Sequence, residues 1–93
     1  MSDVRKILSD RESVYGSYDE FTQILTELKY VQIQRKKNDW TYYQSEAMNM
    51  ILLKIARLIN GDPNHVDTWQ DIAGYAQLVV DILEEKSLKE ESK

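Results

Sequence analysis

Residues 47–59, AMNMILLKIARLI, are apolar on nearly every side of a helix. A helix of that character must be covered all round, so it is either the centre of a bundle or buried in an oligomer. It starts near Trp40. Asn60-Gly61 offers the left-handed stop that ends many helices, and Pro63 prevents the helix from resuming. Everything else in the chain has to be arranged around this element.

Two further helices are marked by their starts. Ser17-x-x-Glu20 is a capping box, in which the serine accepts from the N3 amide and the glutamate bonds back. The helix behind it runs to about Lys36. Its stripe is Phe21, Ile24, Leu25, Leu28 and Val31, and Arg35, Lys36 and Lys37 sit where cations suit the helix dipole. Asp67-x-x-Gln70 repeats the capping signature, so the last long helix begins near Asp67. Its main stripe is Trp69, Ile72, Ala73, Ala76, Val79, Val80 and Leu83, with Tyr75, Leu78 and Ile82 beside it. Gly74 inside this helix costs about 1 kcal/mol relative to alanine, which suggests that another backbone comes close there. Ahead of these lies a short helix, Ser2 to about Arg11, with Ser2 as N-cap and Val4, Ile7 and Leu8 on one face. Gly16 separates it from the Ser17 capping box. The expectation is an all-α fold: a short N-terminal helix and three longer ones in a compact bundle, one domain over residues 1–93, with 87–93 as a fraying tail.

Composition agrees. Three glycines and one proline leave little room for the turns of an all-β fold. At 93 residues the core is modest, so a homo-oligomer is expected. The chain has no cysteine and a single histidine, His65, which excludes a disulfide scaffold, a thiolate zinc site and a multi-histidine centre. His65 is expected in an exposed loop. There is no signal-peptide core and no apolar run long enough for a membrane span, so a cytoplasmic protein without membrane contact is expected. A net charge of −4 argues against binding duplex nucleic acid.

Two groups of residues carry candidate chemistry. Glu46, Lys54 and Arg57 lie within about 80° of one another on the third helix, amid Met50 and Leu53. Charges in apolar surroundings need partners, and Asp67 and Asp71, one turn apart on the fourth helix, are the natural ones. Asp71 is also adjacent to Tyr75. An inter-helix salt-bridge set and a ligand site both fit this pattern. The second group is Arg11, Tyr15 and Gly16, where an arginine and an aromatic ring before a glycine turn suit an anion or a stacked base. Trp40, Tyr42 and Tyr43 form an aromatic group suited to an interface or to the core. No nucleophilic triad, P-loop or dinucleotide fingerprint is present.

Arg11…Tyr15-Gly16, Leu52-Leu53-Lys54-Ile55-Ala56-Arg57-Leu58 and Asp67-x-Trp69-x-Asp71-Ile72-Ala73-Gly74-Tyr75-Ala76 together resemble a family of small phage and prophage proteins of unknown function, over roughly residues 11–80. That family is in turn similar to the MazG-type all-α nucleotide pyrophosphohydrolases. This second resemblance implies Mg²⁺ held by carboxylates on two successive helices, in EExxE and ExxD patterns. The ligand set departs from it. Glu46 is followed by Met50 and Leu53, Asp71 can stand for the last aspartate, Thr68 occupies the preceding glutamate's place, and Asp67 is off register.

The leading expectation is therefore a non-catalytic accessory protein of a phage, without cofactor, that antagonises a host process or defence. Its partner would be a small nucleotide or a host protein. Arg11, Lys54 and Arg57 would meet phosphates, and Tyr15, Tyr75 or Trp69 would stack on a base. The alternatives are a Mg²⁺-dependent pyrophosphohydrolase using Glu46, Asp67 and Asp71, and a structural or regulatory oligomer.

Overall fold

The computed structural model describes residues 2–91, with Ser2 described by its backbone alone. Four helices and no strand occur among the described residues: α1 (Ser2–Tyr15), α2 (Tyr18–Arg35), α3 (Tyr42–Asn60) and α4 (Val66–Glu91). The cap expected of the Ser2 side chain, and residues 92–93 of the expected tail, lie outside the described residues. No described helix is long and apolar enough to cross a membrane.

α3 is the central helix. It packs against α2 on one side and α4 on the other, while α1 touches α2 and α3. Lys54 bonds Asp71, and the Lys86 ammonium lies 5.1 Å from the centre of the Tyr43 ring, so α3 and α4 run antiparallel. No Cα of α2 comes within 8 Å of one in α4. The bundle is thus centred on α3, and it is long: 59 × 27 × 26 Å with a radius of gyration of 16.7 Å. A closed domain of this length would have a radius near 12 Å. The core is correspondingly small. Leu52 and Ala56 on α3 are its buried apolar side chains, joined by the buried Thr68 of α4.

Several helix ends differ from expectation. α1 passes Arg11 by a full turn and stops where Gly16 takes a φ of +80°, its amide donating to the Glu12 carbonyl at 2.8 Å. That is the left-handed stop expected of Gly61, placed at the other glycine. Gly61 itself has φ −136° and ψ −138° and is not left-handed. Ser17 caps α2 as expected, accepting from the Glu20 amide at 3.2 Å. In α2, Val31 is exposed, and Gln32, four residues after Leu28, takes the half-buried place instead.

α3 starts two residues after Trp40, at a reciprocal capping box between Thr41 and Gln44, with bonds of 2.9 and 3.3 Å. α4 starts at Val66, which places Asp67 in its first turn rather than at its cap. His65 precedes that turn and is half-buried, bonded through Nδ1 to the Thr68 hydroxyl at 2.8 Å and set edge-on to Tyr15. The single histidine therefore belongs to the packing, not to an exposed loop. α4 continues to Glu91, with Lys89 3.4 Å from Glu85 one turn earlier.

Gly74 does not admit a neighbouring backbone. A Cβ built on it meets nothing within 4 Å, because the open side of α4 lies there. Gly74→Ala should therefore stabilise the protein by about 1 kcal/mol, raising the melting temperature by roughly 4–8 °C in a circular-dichroism melt. An unchanged or lower melting temperature would mean that something in solution occupies that space.

Candidate functional site

The turn between α1 and α2 and the loop between α3 and α4 meet backbone to backbone. A Cβ on Gly61 would overlap the Val14 carbonyl and the Tyr15 main chain, and one on Gly16 would overlap the Asn60 carbonyl. The Asp62 amide donates to the Val14 carbonyl at 2.8 Å. The Asn60 amide group donates to the carbonyls of Tyr15 at 3.0 Å and Ser17 at 2.8 Å. One side chain thus reaches carbonyls on both sides of Gly16: that of Tyr15, at the end of α1, and that of Ser17, which also accepts from the Phe21 amide of α2 at 3.0 Å. This junction fixes the end of α1 against the end of α3.

Above the junction is a cleft of about 430 Å³ between α1, α2 and α3. Arg5, Arg11 and Arg57 line it, with Glu12 as the one acidic residue of the lining. Tyr15, Tyr18 and Phe21 supply aromatic walls, with Leu8 and Gly16 completing it. The Arg57 guanidinium lies over the Tyr15 ring, 4.5 Å from its centre. Such stacking holds the planar cation in one orientation and leaves its edge donors available. Tyr15 is itself held by His65 edge-on, with ring centres 5.5 Å apart. Tyr18 is 78% exposed and tilts against Phe21 with ring centres 6.2 Å apart, so an apolar face is presented near three cations. An excess of positive charge beside flat apolar rings, on a chain of net charge −4, suits an anion that carries an aromatic group.

Of the candidates read from the sequence, this cleft unites Arg11, Tyr15 and Arg57 from the two groups. The others fall elsewhere. Lys54 Nζ and Asp71 Oδ2 are 3.0 Å apart, an ion pair between α3 and α4 in which the lysine is the better covered. Such a pair, half in solvent, contributes about 1 kcal/mol or less and fixes the register of the two helices. Asp71 and Tyr75 share a shallow depression on α4 with Gln70, Gly74 and Leu78. Glu46 and Asp67 are exposed. Glu46 lies eight residues before Lys54 on α3, about 12 Å along the helix. Among the described residues no group of three or more His, Cys, Asp or Glu is placed to hold a metal ion, so Glu46, Asp67 and Asp71 do not converge. The aromatic group also divides. Tyr42 is 93% exposed, Tyr43 lies under Lys86, and Trp40 lies 5.9 Å from the Lys36 ammonium.

Arg5, Tyr18 and Phe21 were not singled out as ligand contacts by sequence reasoning. Arg5, Leu8, Glu12 and Tyr15 recur at spacings of three and four, so one helical face carries them all, but only if α1 is extended past Arg11. Phe21 reads from sequence as a core residue of the α2 stripe.

A protein family described as a domain of unknown function, DUF6378, matches residues 2–83. The chain belongs to this family. The matched span takes in every residue of the arginine cleft, the Gly16–Gly61 junction and α4 as far as Leu83. No curated protein and no solved structure matches the chain.

Proposed function

We propose that this DUF6378 domain is a non-catalytic binding protein that holds a nucleotide in the cleft between α1, α2 and α3. The observation that carries the reading is the convergence of Arg5, Arg11 and Arg57 on a cleft walled by Tyr15, Tyr18 and Phe21. The arginines meet the phosphates by paired, charge-assisted hydrogen bonds. Tyr18 and Phe21 take the base, since every base has a face that stacks on an aromatic ring. Tyr15 serves chiefly to orient Arg57. A volume of about 430 Å³ lies within the usual range for small-ligand sites. The resemblance to small phage proteins supplies a setting in which sequestering a host nucleotide signal antagonises a host defence. The dispersed positions of Glu46, Asp67 and Asp71 give a pyrophosphohydrolase reading no support.

Calorimetric titration with ATP, adenosine and inorganic phosphate tests the reading. ATP should bind more tightly than either fragment. Removing a charge-assisted contact costs about 1.5–3 kcal/mol, so Arg57→Ala should weaken ATP binding roughly 10–100-fold at unchanged helicity. Binding should also weaken with added salt. Equal affinity in the variant, or no binding at millimolar nucleotide, would sink the proposal. Release of pyrophosphate in the presence of Mg²⁺ would replace it with an enzyme.

A further inference from the structure

The folded chain exposes 7444 Å² of surface. A folded monomer of its 11.0 kDa mass exposes about 5,600 Å² by the usual scaling of area with mass. The surplus of about 1,800 Å² is the area one subunit of an obligate dimer hides. Elongation accounts for part of it: the molecule is 59 Å long, and the 26 residues of α4 alone span about 39 Å.

The uncovered surface has a pattern. Along α4, Ile72, Tyr75, Val79 and Ile82 are half-buried, at spacings of three, four and three. Beside them run Trp69, Ala73, Ala76, Val80 and Leu83, at spacings of four, three, four and three, every one exposed. Trp69 is 53% exposed, Val80 41% and Leu83 45%. This second row is a heptad seam about 21 Å long, held at its start by the Trp69 indole N–H donating to the Pro63 carbonyl at 2.8 Å and otherwise turned toward solvent. It carries no charge. Ala76 also lines an apolar groove of about 330 Å³ formed with Met48, Ile51 and Trp40, so the uncovered face extends from α4 onto α3.

We propose that a second copy of this chain covers this face, with the two α4 helices antiparallel about a two-fold axis near Ala76. The row is self-complementary under that axis: alanine meets alanine at the centre, where axes can approach closely, and Trp69 meets the partner's Leu83 at each end. Along the outer flank, Gln77 meets the partner's Gln77 and Gln70 meets the partner's Glu84. A parallel pairing would instead set Trp69 beside the partner's Trp69 and align the two helix dipoles. The result is a four-helix layer of α3 and α4 from each copy. The arginine cleft lies between α1, α2 and α3, so the dimer stands or falls independently of nucleotide binding.

Analytical ultracentrifugation of the full chain at micromolar concentration should give twice the monomer mass. Ala76 is exposed in the monomer, so Ala76→Glu should keep its helicity and its ATP titration while raising the dimer dissociation constant roughly 100-fold or more, as two carboxylates are forced together across the axis. Ile7→Glu, on the exposed face of α1, should leave the dimer intact. A monomeric wild-type chain, a dimer that survives Ala76→Glu, or one lost with Ile7→Glu would overturn the proposal. The chain has no native cysteine, so orientation is read by crosslinking. A mixture of Trp69→Cys and Leu83→Cys should form a disulfide. Leu83→Cys alone should not, because the two positions lie about 21 Å apart along antiparallel helices. Crosslinking of Leu83→Cys alone would overturn the antiparallel arrangement.

Discussion

Gly61→Ala is expected to be strongly destabilising although it adds a single methyl group. Its Cβ would overlap the Val14 carbonyl oxygen and the Tyr15 main chain, and none of these atoms belongs to a flexible side chain that can swing aside. Relief requires the end of α1 to move away from the α3–α4 loop, breaking the bond from the Asp62 amide to the Val14 carbonyl. The combined cost is about 3 kcal/mol, or a fall of roughly 10–20 °C in melting temperature for a domain of this size. The affected backbone includes Tyr15, which positions Arg57. Nucleotide affinity should therefore fall in the variant even below its melting temperature. A melting temperature within a few degrees of wild type would show that α1 docks more loosely than the Gly16–Gly61 contact implies.

Asn60→Ala should also be destabilising. The substitution removes two hydrogen bonds in a partly buried turn: the Tyr15 carbonyl loses the Asn60 donor, and the Ser17 carbonyl keeps only the Phe21 amide, 3.0 Å away. At roughly 1 kcal/mol for each bond, the loss is about 2 kcal/mol. Asn60→Asp separates hydrogen bonding from size. The carboxylate has nearly the amide's shape but aims oxygens at two carbonyl oxygens, which disfavours its charged form in the folded state and raises its pKa there. A folded-state pKa above the unfolded value gives stability that is present at low pH and lost as pH rises. Asn60→Asp should accordingly regain part of the lost stability as pH falls from above the usual carboxylate range into it, with the gain complete below that range, a gain Asn60→Ala lacks. Parallel pH slopes for the two variants in urea unfolding would mean that the amide donors are not what holds the turn.

Both predictions concern a junction whose residues are plain in the sequence but whose role is not. Asn60-Gly61 reads as a helix stop, and it is one, yet neither residue works as local rules suggest. Gly61 is not left-handed. It is small because another segment lies against it, and Asn60 points across to residues more than forty positions earlier. Nothing in local spacing encodes a contact of that range. The candidate site shows the same division. Arg11, Tyr15 and Arg57 were legible as separate suspects, because cations and aromatics near apolar runs need partners. Arg57 was grouped by helical angle with Lys54, but the two point to different neighbours. Lys54 reaches α4, and Arg57 reaches Tyr15 at the end of α1. Residues about 60° apart on a central helix can face different helices, and only the docking of those helices decides which.

By itself the sequence determined what short-range chemistry controls. It determined the four helices, from apolar periodicity. It determined the Ser17 cap and the break at Gly16, from side chains that bond their own turn. It also determined the central place of α3, from an apolar run that has to be covered on every side. The tertiary structure alone decided that α2 and α4 flank α3 without their backbones approaching closely, that Gly16 and Gly61 touch, and that three arginines from two helices share one cleft. The reason is physical. Capping and periodicity are settled within a few residues of chain, whereas an apolar stripe says only that a face must be covered. Which surface covers it depends on how whole helices fit together.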